Sequence, residues 1–310
     1  MNELPLISII TPCLNRAALI SEAIESVRNQ EYPYIEHIVV DGGSTDGTLD
    51  VLRRYPHLQL ISEPDQSMYE ALNKGIRSAR GEIIGHLNSD DLYPPNIFSC
   101  IVNELVASPD LDAIAGAAII AEMKPDEEKV MIKEYPPVEK GDLIRRTATS
   151  TPIFNAWFFR RRVFDKAGFF NPQYRIAGDS EFMLRLGLAG IHYEAIHKTV
   201  YQYRLHAGSK TISNDAEAWA KTEREIMDIS ESFLEAGISG EAEHYCKLWY
   251  MRSSESVLKF SLKKGNLPDA WSAMWRGWKY NLWSPLILFR RSFIDIAILP
   301  VRLIKRRLQS

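Results

Sequence analysis

The feature that most limits how this chain can fold is a repeated alternation of short, unbroken apolar runs with stretches of helical spacing. Ile7-Ser8-Ile9-Ile10-Thr11, His37-Ile38-Val39-Val40, Leu58-Gln59-Leu60-Ile61, Ile83-Ile84-Gly85-His86-Leu87 and Ala113 to Ile120 each read as a strand. Between them, Ile20, Ala23, Ile24 and Val27 recur at the spacing that lines one face of a helix, as do Met68, Ala71, Leu72, Ile76 and Ala79. Strands apolar on both faces need cover on both sides, and strands joined through helices run parallel. The expected fold is α/β, a mostly parallel sheet flanked by helices. In such sheets ligands bind beyond the carboxyl ends of the strands.

The polar residues follow that rule. Thr11-Pro12-Cys13-Leu14-Asn15 follows the first strand, Asp41-Gly42-Gly43-Ser44-Thr45-Asp46-Gly47 the second, Asp65-Gln66 the third and Asn88-Ser89-Asp90-Asp91 the fourth. One acidic loop would mean little, but four at one edge point to a site. Asp90 and Asp91 repel each other unless positive charge lies close by. They either open the next helix, whose N-terminus favours acids, or hold a divalent cation. Asp46-Gly47 is turn chemistry.

Residues 121–155 are poorly periodic and Pro-rich, and read as a strand plus loops. Trp157-Phe158-Phe159 is apolar, and Asp179 to Leu188 reads as a helix opened by an acid. From about Asp215 only helical patterns remain, so the expected division is 1–212 and 213–310. The three cysteines, Cys13, Cys100 and Cys246, have no metal-ligand spacing and suit a reducing compartment. The opening residues lack the long apolar run of a secretory leader. The expected location is therefore cytoplasmic.

The formal net charge of −3 hides an asymmetry: from Arg276 to Ser310 there are eight Lys/Arg and one acid, a balance of +7 against −10 before it. No apolar run in this stretch approaches the roughly 18 residues needed to span a bilayer. Leu286 to Phe289, Phe293-Ile294 and Ile296 to Leu299 alternate with Arg290-Arg291, Arg302, Lys305, Arg306 and Arg307. That mixture suits a helix lying on an anionic membrane surface; the plainer alternative is a packed helical hairpin with a solvated basic end. Because the segment is also strongly apolar, nucleic acid is not expected as a partner.

The runs "SIITPCLNRAALISEAIESVRNQEYPYIEHIVVDGGSTDGTLDVL" and "ISEPDQSMYEALNKGIRSARGEIIGHLNSDD" resemble family 2 glycosyltransferases of the GT-A fold, in a bacterial branch. The resemblance covers roughly residues 5 to 210. It implies an inverting, metal-dependent transfer of a sugar from a nucleoside-diphosphate donor, a UDP-sugar by family frequency, to a hydroxyl acceptor. The acceptor would be a glycan or glycolipid, in cell-surface polysaccharide or glycolipid synthesis. Thr11, Pro12 and Asn15 would line the base and ribose pocket, and Asp41 would bond base or ribose. Many relatives carry a second acid where this chain has Gly42. Asp65 and Asn73-Lys74 would lie near the base or phosphates. Asp90 and Asp91 would hold Mn²⁺ or Mg²⁺ in an Asp-x-Asp type motif, although Asn88 stands where many relatives begin that motif with an acid. Which of the two binds metal and which ribose stays open.

The resemblance also makes Asp179 the general base that takes the acceptor proton, with Gly178 where relatives often have another acid. Glu181 is the second candidate, and capping the helix is the plain alternative for Asp179. Arg204 would grip phosphate and His206 add a metal or phosphate contact, on a segment that closes over the diphosphate. Phe154-Asn155 replaces a His-Gln pair common in relatives, so acceptor contacts do not carry over there. One rival reading is a sugar-phosphate nucleotidyltransferase, but the loop after the first strand lacks the glycines of its phosphate cradle. The other is a non-catalytic nucleotide-binding membrane scaffold, which the acids at 90, 91 and 179 argue against.

Overall fold

The computed structural model describes residues 4–122, 130–141, 143–149, 153–206 and 216–278. The chain divides into two compact units, Met1–Ser213 and Asn214–Ser310.

The first unit is built on an eight-stranded sheet. In chain order its elements are β1 (Ile7–Cys13), α1 (Ile20–Arg28), β2 (Ile35–Asp41), α2 (Thr48–Leu52), β3 (Gln59–Ser62), α3 (Met68–Ser78), β4 (Ile83–His86) and α4 (Ile97–Ala107). There follow β5 (Ala113–Glu122), β6 (Val130–Tyr135), α5 (Leu143–Thr149), a 3-10 turn at Phe154–Ala156, β7 (Trp157–Arg160), α6 (Arg162–Ala167), α7 (Gly178–Leu188) and β8 (Tyr193–Leu205). The strand order is β3-β2-β1-β4-β7-β5-β6, with β8 paired to β5. β1 runs parallel to β2 and β4, β2 to β3, and β5 to β8. β7 runs opposite to β4 and β5, and β6 opposite to β5.

The carboxyl ends of β1, β2, β3, β4 and β8 therefore share one edge. The chain leaves β1 toward β2 and β3, then returns to the other flank of β1 for β4. That reversal falls between β1 and β4, whose carboxyl ends are the usual ligand position in such sheets.

Alternate strand residues feed two cores. Ile10, Ile38, Ile84, Trp157 and Phe159 pack with Leu72 and Ile76 of α3 and Phe182 and Met183 of α7. Ile7, Ile9 and Phe158 pack with Val27 of α1 and with Phe98, Ile101 and Leu105 of α4. α7 is buried on nearly every side, and Phe182 lies among the rings of Phe170 (centroids 4.4 Å apart), Phe164 (5.7 Å), Phe154 (6.0 Å) and Phe159 (6.0 Å). That cluster fixes the helix whose first turn carries Asp179.

In the second unit α8 (Ala216–Glu235), α9 (Gly240–Lys263) and α10 (Leu267–Trp278) bury Met227, Tyr250, Val257, Leu258, Ala270 and Ala273. Arg224 pairs with Asp269 at 2.6 Å, and Arg276 with Asp228 at 2.6 Å and Glu231 at 2.7 Å, which ties α8 to α10. No helix among the described residues is long and apolar enough to cross a membrane. The expected basic amphipathic end, Leu286 to Arg307, lies outside the described residues, as does the expected boundary at 212.

Candidate active site

The ends of β1 and β2 are tied together by side chains. Asp41, fully buried at the end of β2, accepts from the backbone N–H groups of Gly43 (3.1 Å) and Ser44 (3.1 Å) and from the Ser62 hydroxyl (3.0 Å). Its carboxylate thus shapes its own loop. Asn15 adopts left-handed backbone (φ 53°), accepts from the Thr45 N–H at 2.9 Å and donates its own N–H to the Ser44 hydroxyl at 2.8 Å. Pro12 and Thr11 are buried within β1, and the Thr11 hydroxyl is paired with Nε2 of His37 at 2.9 Å.

Asp65 comes to the same place from the β3–α3 loop. A Cβ on Gly42 would stand 2.5 Å from its Oδ2, so the Asp65 carboxylate fills the space a side chain at 42 would need. Desolvation raises the Asp65 pKa, with the Lys74 ammonium opposing it. Lys74 donates to the Pro64 carbonyl at 2.9 Å and pairs with Glu63 at 3.1 Å. Asn73 is buried and exchanges two hydrogen bonds with the Phe170 backbone (2.8 and 3.0 Å). Its amide fixes the chain ahead of α7.

Asp90 and Asp91 have divided environments. The Asp91 carboxylate is buried: Oδ2 accepts from the Asn88 amide (2.9 Å) and the Tyr201 hydroxyl (2.8 Å), and Oδ1 from the Arg204 N–H (3.0 Å). Burial first, and then the charge of Asp90, pushes its pKa up to about 7. Asp90 stays partly exposed, and its Oδ2 meets Nε2 of His206 at 3.3 Å and Nε of Arg16 at 3.5 Å. Among the described residues no three His, Cys, Asp or Glu side chains form a ready metal cage. Asp90 and His206 nevertheless suit Mn²⁺, or Mg²⁺ less closely. Carboxylate oxygen and imidazole nitrogen are accepted donors, and such ions take their remaining ligands from water and substrate phosphates.

Arg204 is committed to the protein. Its Nε donates to the Asp90 carbonyl at 2.5 Å, one Nη to the Leu19 carbonyl at 3.0 Å, and the other pairs with Glu22 at 2.8 Å. It braces the end of β8 against the acidic loop and the start of α1. Arg16, which sequence reasoning passed over, is the partly exposed guanidinium beside Asp90. Its only signal was a lone cation directly after the polar loop of β1.

Asp179 sits in the first turn of α7, and its Oδ1 accepts from the Ser180 N–H at 2.7 Å and the Tyr69 hydroxyl at 3.3 Å. Desolvation, the largest influence, raises its pKa despite these hydrogen bonds. Glu181, by contrast, is buried in a two-point ion pair with Arg185 (2.7 and 2.8 Å). The Tyr203 phenol is held well above its ordinary range by desolvation, then by the charges of Asp91 and Asp179.

Comparison with known proteins places this geometry. The family described as Glycosyl transferase family 2 matches residues 8–168. The chain is 30% identical over 187 residues to a PGL/p-HBAD biosynthesis glycosyltransferase of Mycobacterium bovis, covering 58% of this chain and 69% of that protein. It is 26% identical over 219 residues to the chondroitin synthase of Pasteurella multocida, covering 69% of this chain but only 22% of the synthase. Among solved structures, residues 1–349 of S. aureus TarS in complex with UDP-GlcNAc superpose with a TM-score of 0.63 at 17% identity, covering 87% of this chain and 79% of that one. The mannosyltransferase PcManGT of Pyrobaculum calidifontis, in complex with GDP-Man and Mn2+, gives 0.57 at 22% identity, covering 95% and 87%. Sequence and architecture agree: this chain belongs to glycosyl transferase family 2 and is a glycosyltransferase of the GT-A fold.

Proposed function

We propose that the protein transfers a sugar from a UDP-sugar to a hydroxyl acceptor with inversion, Asp179 serving as the base. What supports this reading is that Asp90, with His206 and Arg16, follows β4 at the carboxyl edge of the sheet, and that Asp179 accepts a hydrogen bond from Tyr69 at the start of α3, just beyond β3. A sugar hydroxyl becomes a useful nucleophile only as its proton is removed. Asp179 takes that proton, the freed oxygen bonds to the anomeric carbon, and the bond from that carbon to the diphosphate breaks on the opposite face. The leaving oxygen keeps the electron pair. A single in-line displacement of this kind inverts the configuration.

Asp90 and His206 would hold a divalent cation, and Mn²⁺ or Mg²⁺ there would offset the charge that builds on the departing diphosphate. Arg16 would exchange its contact with Asp90 for a phosphate oxygen, which its fork of donors suits. Asp41 and Asn15 shape the loops of the nucleotide pocket, Thr11 and Pro12 form its floor, and Asp65 with Lys74 flanks it. Asp91 and Arg204 would keep the acidic loop and the end of β8 in register. The UDP-GlcNAc and GDP-Man complexes of the solved neighbours support a nucleotide-sugar donor, and the likeness to a chondroitin synthase supports a glycan acceptor. The test is Mn²⁺-dependent turnover of a panel of UDP- and GDP-sugars, read as released nucleotide. Turnover of a UDP-sugar supports the reading; pyrophosphate release from a sugar phosphate and a nucleoside triphosphate instead would overturn it.

A peripheral position on an anionic membrane surface completes the proposal. In the second unit Trp219, Trp271 and Trp275 are 61%, 64% and 58% exposed, and Leu267 66%. Exposed tryptophans followed by a basic, apolar sequence suit a lipid interface, where amphipathic rings sit at headgroup level. Such a position would bring the site to a lipid-linked acceptor.

A further inference from the structure

Tyr69 lies in the first turn of α3, behind an N-cap formed by Ser67, whose hydroxyl accepts from the Glu70 N–H at 3.2 Å. The Glu70 carboxylate in turn accepts from the Gln66 N–H at 2.7 Å, so this helix start is held from both sides. The Tyr69 side chain is 1% exposed and its ring stacks on Phe170 at 5.5 Å. The ring also reaches the start of α7, where a Cβ on Gly178 would stand 2.8 Å from it. Gly178 is thus the residue that lets the phenol approach its neighbour Asp179. The hydroxyl lies 2.9 Å from the Ile176 carbonyl and 3.3 Å from Oδ1 of Asp179. A phenol has one proton to donate, so these two acceptors share it.

We propose that Tyr69 is a positioning residue for the catalytic base, its shared proton holding the Asp179 carboxylate ionised and oriented until the acceptor proton arrives. The proposal rests on the reading of Asp179 as that base. While Asp179 is charged, the phenol proton is drawn to Oδ1. Once Asp179 has taken the acceptor proton, the phenol proton returns to the Ile176 carbonyl and the neutral acid is free to turn. No covalent bond to Tyr69 is made or broken. Among the described residues the Ser180 N–H and hydroxyl also bond Asp179 from its own helix, Glu181 on that helix is locked to Arg185, and the Tyr203 phenol on β8 feels the Asp179 charge. Among the described residues, Tyr69 is the one that reaches the carboxylate from a separate helix with a donor hydroxyl.

The experiment is the pH profile of kcat/KM for UDP-sugar turnover, read as released UDP, in the parent, Tyr69→Phe, Gly178→Ala and Asp179→Asn. Tyr69→Phe keeps the ring and removes only the hydrogen bond that favours the charged carboxylate. Its acidic limb should move to higher pH by about one unit, with the high-pH plateau within about threefold of the parent and the affinity for UDP with Mn²⁺ unchanged. Gly178→Ala displaces the ring and should move the limb the same way, which settles the matter if Tyr69→Phe folds poorly. An unmoved limb in both variants, with Asp179→Asn inactive, overturns the role of Tyr69 alone. Parental activity in Asp179→Asn overturns the base assignment itself, and the Tyr69 proposal with it.

Discussion

Asp179 and the pair Asp90-Asp91 show how environment divides labour among chemically identical carboxylates. Hydrogen bonds from Ser180 and Tyr69 favour the Asp179 anion while desolvation raises its pKa, a compromise suited to the base role proposed for it. Replacing it with Asn should lower turnover by roughly a hundred- to ten-thousand-fold while UDP binding with Mn²⁺ stays intact, as measured by calorimetry. With Asp179 as the proposed base, active only when ionised, its raised pKa predicts that the parent's activity falls on acidification at a higher pH than an ordinary carboxylate would give. The paired acids should separate. Asp90→Asn should lose the Mn²⁺-dependent rise in melting temperature with UDP. Asp91→Asn should lower the melting temperature without any ligand, because an amide NH2 then faces either the Arg204 N–H or the Asn88 amide; the cost is about 1–3 kcal/mol. Equal behaviour of the two variants would contradict the division drawn here.

At the level of elements, the site depends on helices and strands that deliver side chains from far apart in sequence. α7 is held by Phe182 among four other aromatic rings, so Phe182→Ala should cost about 3–5 kcal/mol and reduce kcat even where the protein still folds, as denaturation and single-turnover rates would show. Much of this frame was legible in the sequence. The runs at Ile7, His37 and Ile83 and the helical stripes at Ile20 and Met68 carry their own periodicity, and once β1 to β4 are parallel their polar loops must share an edge. β8 was not legible as a strand: it contains exposed His197-Lys198 and pairs with β5 through register shifts near Gly116 and Ala117, so no clean alternation marks it. The resemblance put Arg204 and His206 on a segment that closes over the diphosphate; in the structure Arg204 lies near the end of β8 and His206 follows the strand directly. α4 was legible only as the helix in one of the two readings of Asp90-Asp91, although Ile97, Phe98, Ile101, Val102 and Leu105 carry helical spacing of their own. The partners of Asp65, Tyr69 and Arg204 follow from tertiary packing, which no local pattern encodes.

For the molecule as a whole, two buried histidines link stability to pH. Burial, aided by the charge of His57, lowers His37 to about 3, and burial lowers His86 to about 4. Both stay neutral in the fold while the unfolded chain protonates them near 6.5. Their contribution is full above that pH and is lost as pH falls toward 4 and 3, at up to about 1.4 kcal/mol per unit each. Asp91, raised to about 7, acts in the opposite sense, so the informative comparison is between the parent and His86→Asn, in which the Asp91 contribution cancels. The variant should lose less stability than the parent between pH 6.5 and 5 in urea titrations. For the membrane proposal, the full chain should cosediment with anionic but not neutral vesicles, and a chain ending at Asn281 should bind less; equal binding would reject a role for the basic end. The most direct test of the central claim is calorimetric titration of UDP with and without Mn²⁺ into the parent, Asp179→Asn and Asp90→Ala. Mn²⁺ should tighten UDP by about tenfold or more in the first two and not in Asp90→Ala. The same gain in all three would contradict a cation held at the end of β4.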